Sequence, residues 1–435
     1  MDAPYSELAS KLNLMNTLFD VAVIGAGTGG IMTSAQLLKK KSGLKVVIID
    51  PAETHWYQAA WTLVGAGTYD MNATKRPTSS VIPEGAEWIK QRVEKISPAQ
   101  NELTLDNGAK ISFKMLIVSP GLVYDFDALP GLREALEKDN VCSNYLDPEK
   151  TWKVLQSFKG GNAVFTQPST PIKCGGAPQK IMYLAEEAFR KTRVREKTRV
   201  IFATPGSVIF GVKVFADTLM NVIHRKGIIL KIFYNPVRID AENNAVYFRY
   251  TKPGENGCVI TEEQGIQEQI VGDAEIKMPY DMLHLAPPQA APDFIRYSEL
   301  AHQDGPNKGW MNVDINTLQS KVYPNIFGIG DVAALPTAKT GAAIRKKAPV
   351  VVEGVLSMLG KNTLGGALYE GYSSCPLVTG YGKMVLAEFK YDNVRDSDPL
   401  LSKIFDTTKE LYPMWILKKY VLPWLYWNKM LKGKM

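Results

Sequence analysis

The chain is expected to fold as an α/β protein with two Rossmann-like dinucleotide-binding domains. Three observations carry this. The apolar run Val21–Ile24 ends in a glycine-rich turn and leads into a helix-forming stretch to about Lys41, and a second apolar run, Val46–Ile49, is closed by Asp50. That strand–helix–strand order is the unit from which parallel sheets are wound. A second block of strand and helix candidates begins near Asp147, with Asn162–Thr166, Gln179–Arg190 and Arg199–Ala203 in succession. Late in the chain, Ile326–Gly330 reads as a further strand ending in glycine, ahead of a helical stretch from about Ala342 to Leu359.

The first turn reads Gly25-Ala26-Gly27-Thr28-Gly29-Gly30, so Gly25, Gly27 and Gly30 form GxGxxG. The first glycine permits the tight turn, the second lets backbone approach a pyrophosphate, and the third lets helix pack on strand. The helix start then faces the phosphates. Asp50 follows Gly30 by 20 positions, where a carboxylate binds adenosine ribose hydroxyls. The late Gly328-Ile329-Gly330-Asp331 resembles the strand end that, in two-dinucleotide-domain flavoproteins, delivers an aspartate to the flavin ribityl chain; this resemblance makes FAD the expected dinucleotide and Asp331 its ligand, a buried capping aspartate being the alternative. The matching turn of the second block, Thr204-Pro205-Gly206-Ser207-Val208-Ile209-Phe210-Gly211, has bulky side chains where the later glycines would stand, so no nicotinamide site is expected there. The expected domains are 18–146 (FAD-binding, first part), 147–300 (second Rossmann-like domain), 301–370 (return segment) and 371–435 (C-terminal segment with a membrane-associating tail).

Composition narrows the classes. The 435 residues are 45% hydrophobic and 22% charged, an ordinary globular balance rather than a disordered one. The net charge of +7 suits an anionic membrane, nucleic acid or small anions. Within Tyr412–Met435, five lysines and no acid are interleaved with six aromatics, which favours a membrane surface and argues against nucleic acid. The four cysteines include no CxxC pair, and His55, His224, His284 and His302 lie far apart, so neither a disulfide scaffold nor a metal site is expected. The uncharged Val21–Leu38 is a buried strand, turn and helix rather than a membrane span. The first twenty residues have neither a presequence's arginines nor a signal's apolar core.

Three longer strings are more specific than GxGxxG. They are His55-Trp56-Tyr57-Gln58 with Trp61–Gly67, then Thr170-Pro171-Ile172-Lys173-Cys174-Gly175-Gly176-Ala177-Pro178-Gln179-Lys180, then Ser374-Cys375-Pro376-Leu377-Val378-Thr379-Gly380-Tyr381. On these, from about Asp20 to Leu431, the chain resembles the mitochondrial-type sulfide:quinone oxidoreductases. The resemblance implies a redox pair, Cys174 and Cys375, joined by a disulfide or sulfur bridge beside FAD. It implies Gln58, Pro120, Gly121 and Lys339 as further cofactor-binding residues, and Lys173, Lys180 and Lys339 as a positive patch for the sulfur acceptor. The alternative for each lysine is a solvated surface charge. For the two cysteines it is a buried apolar thiol, although Gly175-Gly176 and Pro376 suggest turns.

The implied chemistry is oxidation of hydrogen sulfide. Hydrosulfide attacks the bridge, a persulfide forms, and the freed thiolate passes two electrons to FAD and on to ubiquinone. The sulfane sulfur leaves to glutathione, sulfite or cyanide. Cys142 is read as structural, Cys258 has no matching string, and His55 reads either as a packed histidine at a strand–helix junction or as a catalytic one.

The longest uncharged run in the tail, Tyr420–Asn428, is nine residues, too short to span a bilayer. Tyr420, Trp424, Trp427 and Leu431 fall on one helical face, with Pro423 expected to divide the segment into two short helices. This face is the expected membrane and quinone contact; a packed helix or a homodimer interface is the alternative. Family chains extend further than Met435, which implies weaker anchoring here. The family implies the mitochondrial inner membrane, with a prokaryotic plasma membrane as the other address. Two other functions share the fold: a type II NADH:quinone dehydrogenase and a non-catalytic flavin-binding scaffold.

Overall fold

The computed structural model describes residues 17–252, 254, 265–272, 275–360 and 366–435. Its first sheet is built around β1 (Leu18–Ile24), where Val21 and Val23 enter one apolar core and Ala22 and Ile24 enter another. Side chains alternate across a strand, so the wholly apolar run Val21–Ile24 must be covered on both faces. α1 (Thr28–Lys40) carries the chain to β2 (Val46–Ile49), parallel to β1 with Val23 beside Ile48. β3 (Ala86–Ile89), β4 (Val93–Ser97), β5 (Glu102–Leu105) and β6 (Lys110–Val118) complete the order β3-β2-β1-β6-β5-β4.

The second sheet is wholly parallel. It takes β7 (Val141–Cys142), β8 (Gly161–Thr166), β9 (Thr198–Thr204), β10 (Ile229–Ile232) and β11 (Met282–His284) in the order β7-β11-β8-β9-β10. Its first strand lies ahead of the boundary expected at 147. Helices α2 (Pro148–Ser157), α3 (Ala177–Lys191) and α4 (Lys213–Lys226) make the crossovers. A four-stranded antiparallel sheet from Tyr234–Asp240, Ala245–Tyr250, Gln269–Val271 and Glu275–Pro279 packs beside it. Cys258 lies outside the described residues.

The chain then returns. β12 (Ile326–Gly328) pairs parallel with β6, setting Gly328 beside Val118, and α5 (Ile344–Met358) packs on α1. The hairpin β13 (Ser373–Gly380) and β14 (Lys383–Phe389) lies on α3. The tail is one helical run from Tyr412 to Met430 and not two helices. α turns at Tyr412–Ile416 and Leu422–Leu425 alternate with π turns at Leu417–Val421 and Tyr426–Met430. A π turn holds an extra residue, so it absorbs Pro423 without a break and rotates the residues after it. The expected single face is therefore split: Tyr420 and Trp424 point outward at 57% and 54% exposure, Trp427 is half-buried, and Leu431 is buried.

Candidate active site

The glycine-rich turn forms a cradle at the end of the first sheet. A Cβ on Gly25 would sit 2.2 Å from the Ser119 carbonyl oxygen, and one on Gly30 would sit 1.9 Å from that of Gly25. Gly27 meets nothing within 4 Å and is exposed, so its backbone is open to a ligand. The Ala26 and Ala52 amides each donate to a different oxygen of Asp50 at 2.7 Å, which orients that carboxylate beside the turn. Pro120 and Gly121 follow β6 on the same edge, and Gly121 also faces open space. Gly330, with φ +88°, turns the chain from β12 into Asp331, and the Lys339 ammonium donates to the Asp331 backbone carbonyl at 2.6 Å. An open glycine, an uncapped helix start, an oriented carboxylate and a second aspartate at the end of the adjoining strand fit FAD.

The two cysteines come from different parts of the chain, Cys174 from the second domain and Cys375 from the C-terminal segment, and meet. Cys174 precedes α3 in the left-handed region, φ +49°. That strained turn is held because its amide donates to the Lys339 carbonyl at 2.7 Å while its own carbonyl accepts from Ala177 N at 2.7 Å and Tyr145 Oη at 3.2 Å. Cys375 arrives on β13. Gly176 is the residue that admits it: a Cβ there would lie 2.6 Å from the Cys375 sulfur. Both cysteines are free thiols.

Charge around the pair separates the two thiols. A hydrogen bond from Cys375 holds the Cys174 thiol well below its ordinary range, against burial and with help from Lys180, whose Nζ lies 3.0 Å from the sulfur. The same hydrogen bond pushes Cys375 upward. Burial works to lower Lys180, and Cys174 and Cys375 together more than offset it, so the ammonium stays above its ordinary range. A fourth lysine, Lys418 of the tail, completes the centre. Its Nζ donates to the Ala59 carbonyl at 2.7 Å, and burial, with Lys180 nearby, lowers it to about 7. The sequence read Lys418 only as one of five tail lysines; its inward direction depends on the π turn that contains it.

The expected lysine patch divides. Only Lys180 touches a sulfur. Lys173 donates to Gln58 Oε1 at 2.6 Å and lies over the Tyr124 ring. Lys339 turns its side chain onto the carbonyls of Asp331 and Ala333 and over Trp310, because those groups satisfy its buried ammonium, and it serves the sulfur pair through backbone alone. Burial lowers Lys339 to about 7. Cys142 is buried away from the pair, and burial raises its thiol to about 12.

In the second turn, Phe210 packs edge-on to Phe215 and Phe389, and Ile209 is buried. α4 begins only at Lys213, so the turn does not run straight into a helix start. His55 is packed, as read from sequence, but it also joins a polar chain. Its Nδ1 donates to the Ala26 carbonyl at 2.8 Å, and its Nε2 accepts from Tyr426 Oη at 2.6 Å, which stands 2.9 Å from Thr28 Oγ1. Among the described residues there is no cluster able to hold a metal and no helix long and apolar enough to cross a membrane.

Residues 19–157 match the family model of pyridine nucleotide-disulphide oxidoreductases. The fold resembles a chain in the Tetrahymena thermophila mitochondrial ATP synthase structure (TM-score 0.77, 20% identity, 97% of each chain). It also resembles the sulfide:quinone oxidoreductase of Aquifex aeolicus (TM-score 0.74, 18% identity, 95% of this chain and 92% of that one). At those identities the likeness is of fold. The mitochondrial sulfide:quinone oxidoreductase of Mus musculus is 41% identical over 95% of this chain and 87% of its own. Identity of that level over that span makes the chain a member of the sulfide:quinone oxidoreductase family of FAD-dependent flavoproteins.

Proposed function

We propose that this enzyme oxidises hydrogen sulfide at a bridge between Cys174 and Cys375. The observation that carries this is the meeting of the two sulfurs under Lys180 and Lys418. Hydrosulfide attacks Cys375 Sγ, the sulfur–sulfur bond breaks, and Cys174 leaves as thiolate. Cys174 is the leaving group because the lower-pKa thiol leaves faster. Cys375 then carries the persulfide. Its outer sulfur passes to a thiolate or anion such as glutathione, sulfite or cyanide, which returns Cys375 as thiolate. Loss of two electrons from the thiolate pair restores the bridge. FAD, held by the Gly25–Gly30 turn, Asp50 and Asp331, would supply the two-electron acceptor for that pair, with ubiquinone as the final oxidant. Lys180 holds the thiolate charge throughout, and Lys173, next to Cys174, is hydrogen-bonded to Gln58. The bulky Thr204–Gly211 turn supports sulfide rather than a nicotinamide as electron donor.

The enzyme acts in mitochondria, like the relatives it matches, and we place it on the inner membrane. Tyr420 and Trp424 of the tail helix are exposed, as are Leu400 and Ile404, at 73% and 74%, on the short helix Pro399–Ile404. Aromatic and aliphatic side chains amid lysines suit the headgroup zone, where ubiquinone is available. The test is anaerobic addition of sulfide to the purified flavoprotein. The main flavin band should bleach, and Cys174→Ser and Cys375→Ser should abolish the change. Bleaching by NADH with none by sulfide would replace this reading with an NADH:quinone dehydrogenase.

A further inference from the structure

The outward face of the tail forms one wall of an open cleft of about 660 Å³, and the segment 68–81 forms the other. Three cations line it, Arg76, Lys419 and Lys432, against a single carboxylate, Asp70. Among the described residues, none of the three cations makes an ion pair. Arg76 lies over the Trp427 ring at 5.0 Å, Lys419 over Tyr420 at 5.4 Å, and Asp70 accepts from a backbone amide of its own turn. The cleft therefore gathers positive charge that the fold does not neutralise. It does so beside Tyr420 and Trp424, two outward-facing aromatics of the tail helix. Basic groups within a concavity, flanked by interfacial aromatics, match a ligand with an anionic phosphate at one end and apolar chains at the other.

We propose that this cleft binds the phosphate headgroup of an anionic phospholipid, whose acyl chains run out past Tyr420 and Trp424. The site rests on the membrane reading of the tail and deepens it from a general affinity to a specific lipid contact. It would orient the enzyme on the bilayer by holding the tail and the 68–81 segment at one depth.

The full-length holoenzyme is to be sedimented with phosphatidylcholine vesicles and with vesicles that also contain phosphatidylglycerol. Phosphatidylglycerol should tighten binding, and the paired change Arg76→Gln with Lys419→Gln should lose about thirtyfold on those vesicles, from roughly 1 kcal/mol per basic side chain near an anionic surface. The equal-charge pair Lys429→Gln with Lys434→Gln, which does not line the cleft, should lose clearly less. Equal losses from the two pairs would overturn the site in favour of diffuse attraction. Inorganic phosphate alone should leave the tryptophan fluorescence unchanged; a saturable change that vesicles do not strengthen would make the ligand a free phosphate and overturn the lipid assignment. Failure of both vesicle types to bind would sink the membrane reading itself, a result distinct from equal losses in the two pairs.

Discussion

At the residue scale the centre works by unequal treatment of two like thiols. Cys174 is lowered by its neighbour's hydrogen bond and by Lys180, while Cys375 is raised by the same contact. The reduced pair thus yields its first proton easily and holds its second. Mild alkylation of the reduced protein near neutral pH should label Cys174 and spare Cys375, with the rate falling only at pH well below the ordinary thiol range. Lys180→Met should move that profile upward and slow sulfide oxidation. Equal labelling of both thiols, with a profile near 9, would refute the asymmetry. Lys418 offers a separate handle. Its folded-state value, about 7, lies below its ordinary 10.5, so the native protein binds fewer protons than the unfolded chain between these values. Stability should therefore rise with pH across that window, by up to about 1.4 kcal/mol per pH unit for one proton. Urea unfolding of Lys418→Met, compared with wild type from pH 7 to 10, should show a correspondingly shallower slope.

At the scale of elements, the tail helix is tied to the dinucleotide turn. Tyr426 Oη bridges His55 and Thr28, His55 reaches Ala26, and Gln36 of α1 donates to the Met435 carbonyl. Both Ala26 and Thr28 lie inside GxGxxG, so the conformation of the cradle depends on the C-terminus. Tyr426→Phe leaves His55 Nε2 buried without its donor, at a cost of about 1–3 kcal/mol. We expect weaker FAD retention in that variant, seen as faster FAD loss on dilution, with far-UV circular dichroism unchanged. Wild-type retention would show that the contact is packing alone. The tail also shows where helical periodicity misleads. The 3.6-residue period places Leu431 with Tyr420 and Trp424, but two π turns shift the phase, and only the packing of Tyr426, Met430 and Leu431 on the first domain selects those turns.

At the scale of the whole molecule, the first sheet is built from two stretches of chain, Leu18–Val118 and the returning strand Ile326–Gly328, with the second sheet between them in sequence. FAD held by Asp50 and Asp331 together would touch both, so we expect it to stabilise the entire fold. At free FAD one hundredfold above its dissociation constant, the linkage is about 2.7 kcal/mol. Calorimetry of apo and holo protein should show the holo form melting higher, with the gap growing with added FAD. An unchanged melting temperature would mean that the dinucleotide does not join the two stretches.

The sequence by itself determined what depends on local geometry. GxGxxG, the buried strands on either side of it, Asp50 and Asp331 declare a dinucleotide fold because each acts through turn sterics or a two-residue strand period that neighbouring residues already set. The strings around Cys174 and Cys375 marked the two cysteines through resemblance, without showing that they touch. Tertiary structure alone decided that contact, because it needs Gly176 at the crossing of α3 and β13. It also decided which lysines serve the sulfurs: Lys173 and Lys339 looked equivalent to Lys180 in sequence, and Lys418 looked like a surface charge. A lysine's direction is set by whichever carbonyl, ring or thiolate satisfies its ammonium once water is excluded, and those partners come from segments hundreds of residues away.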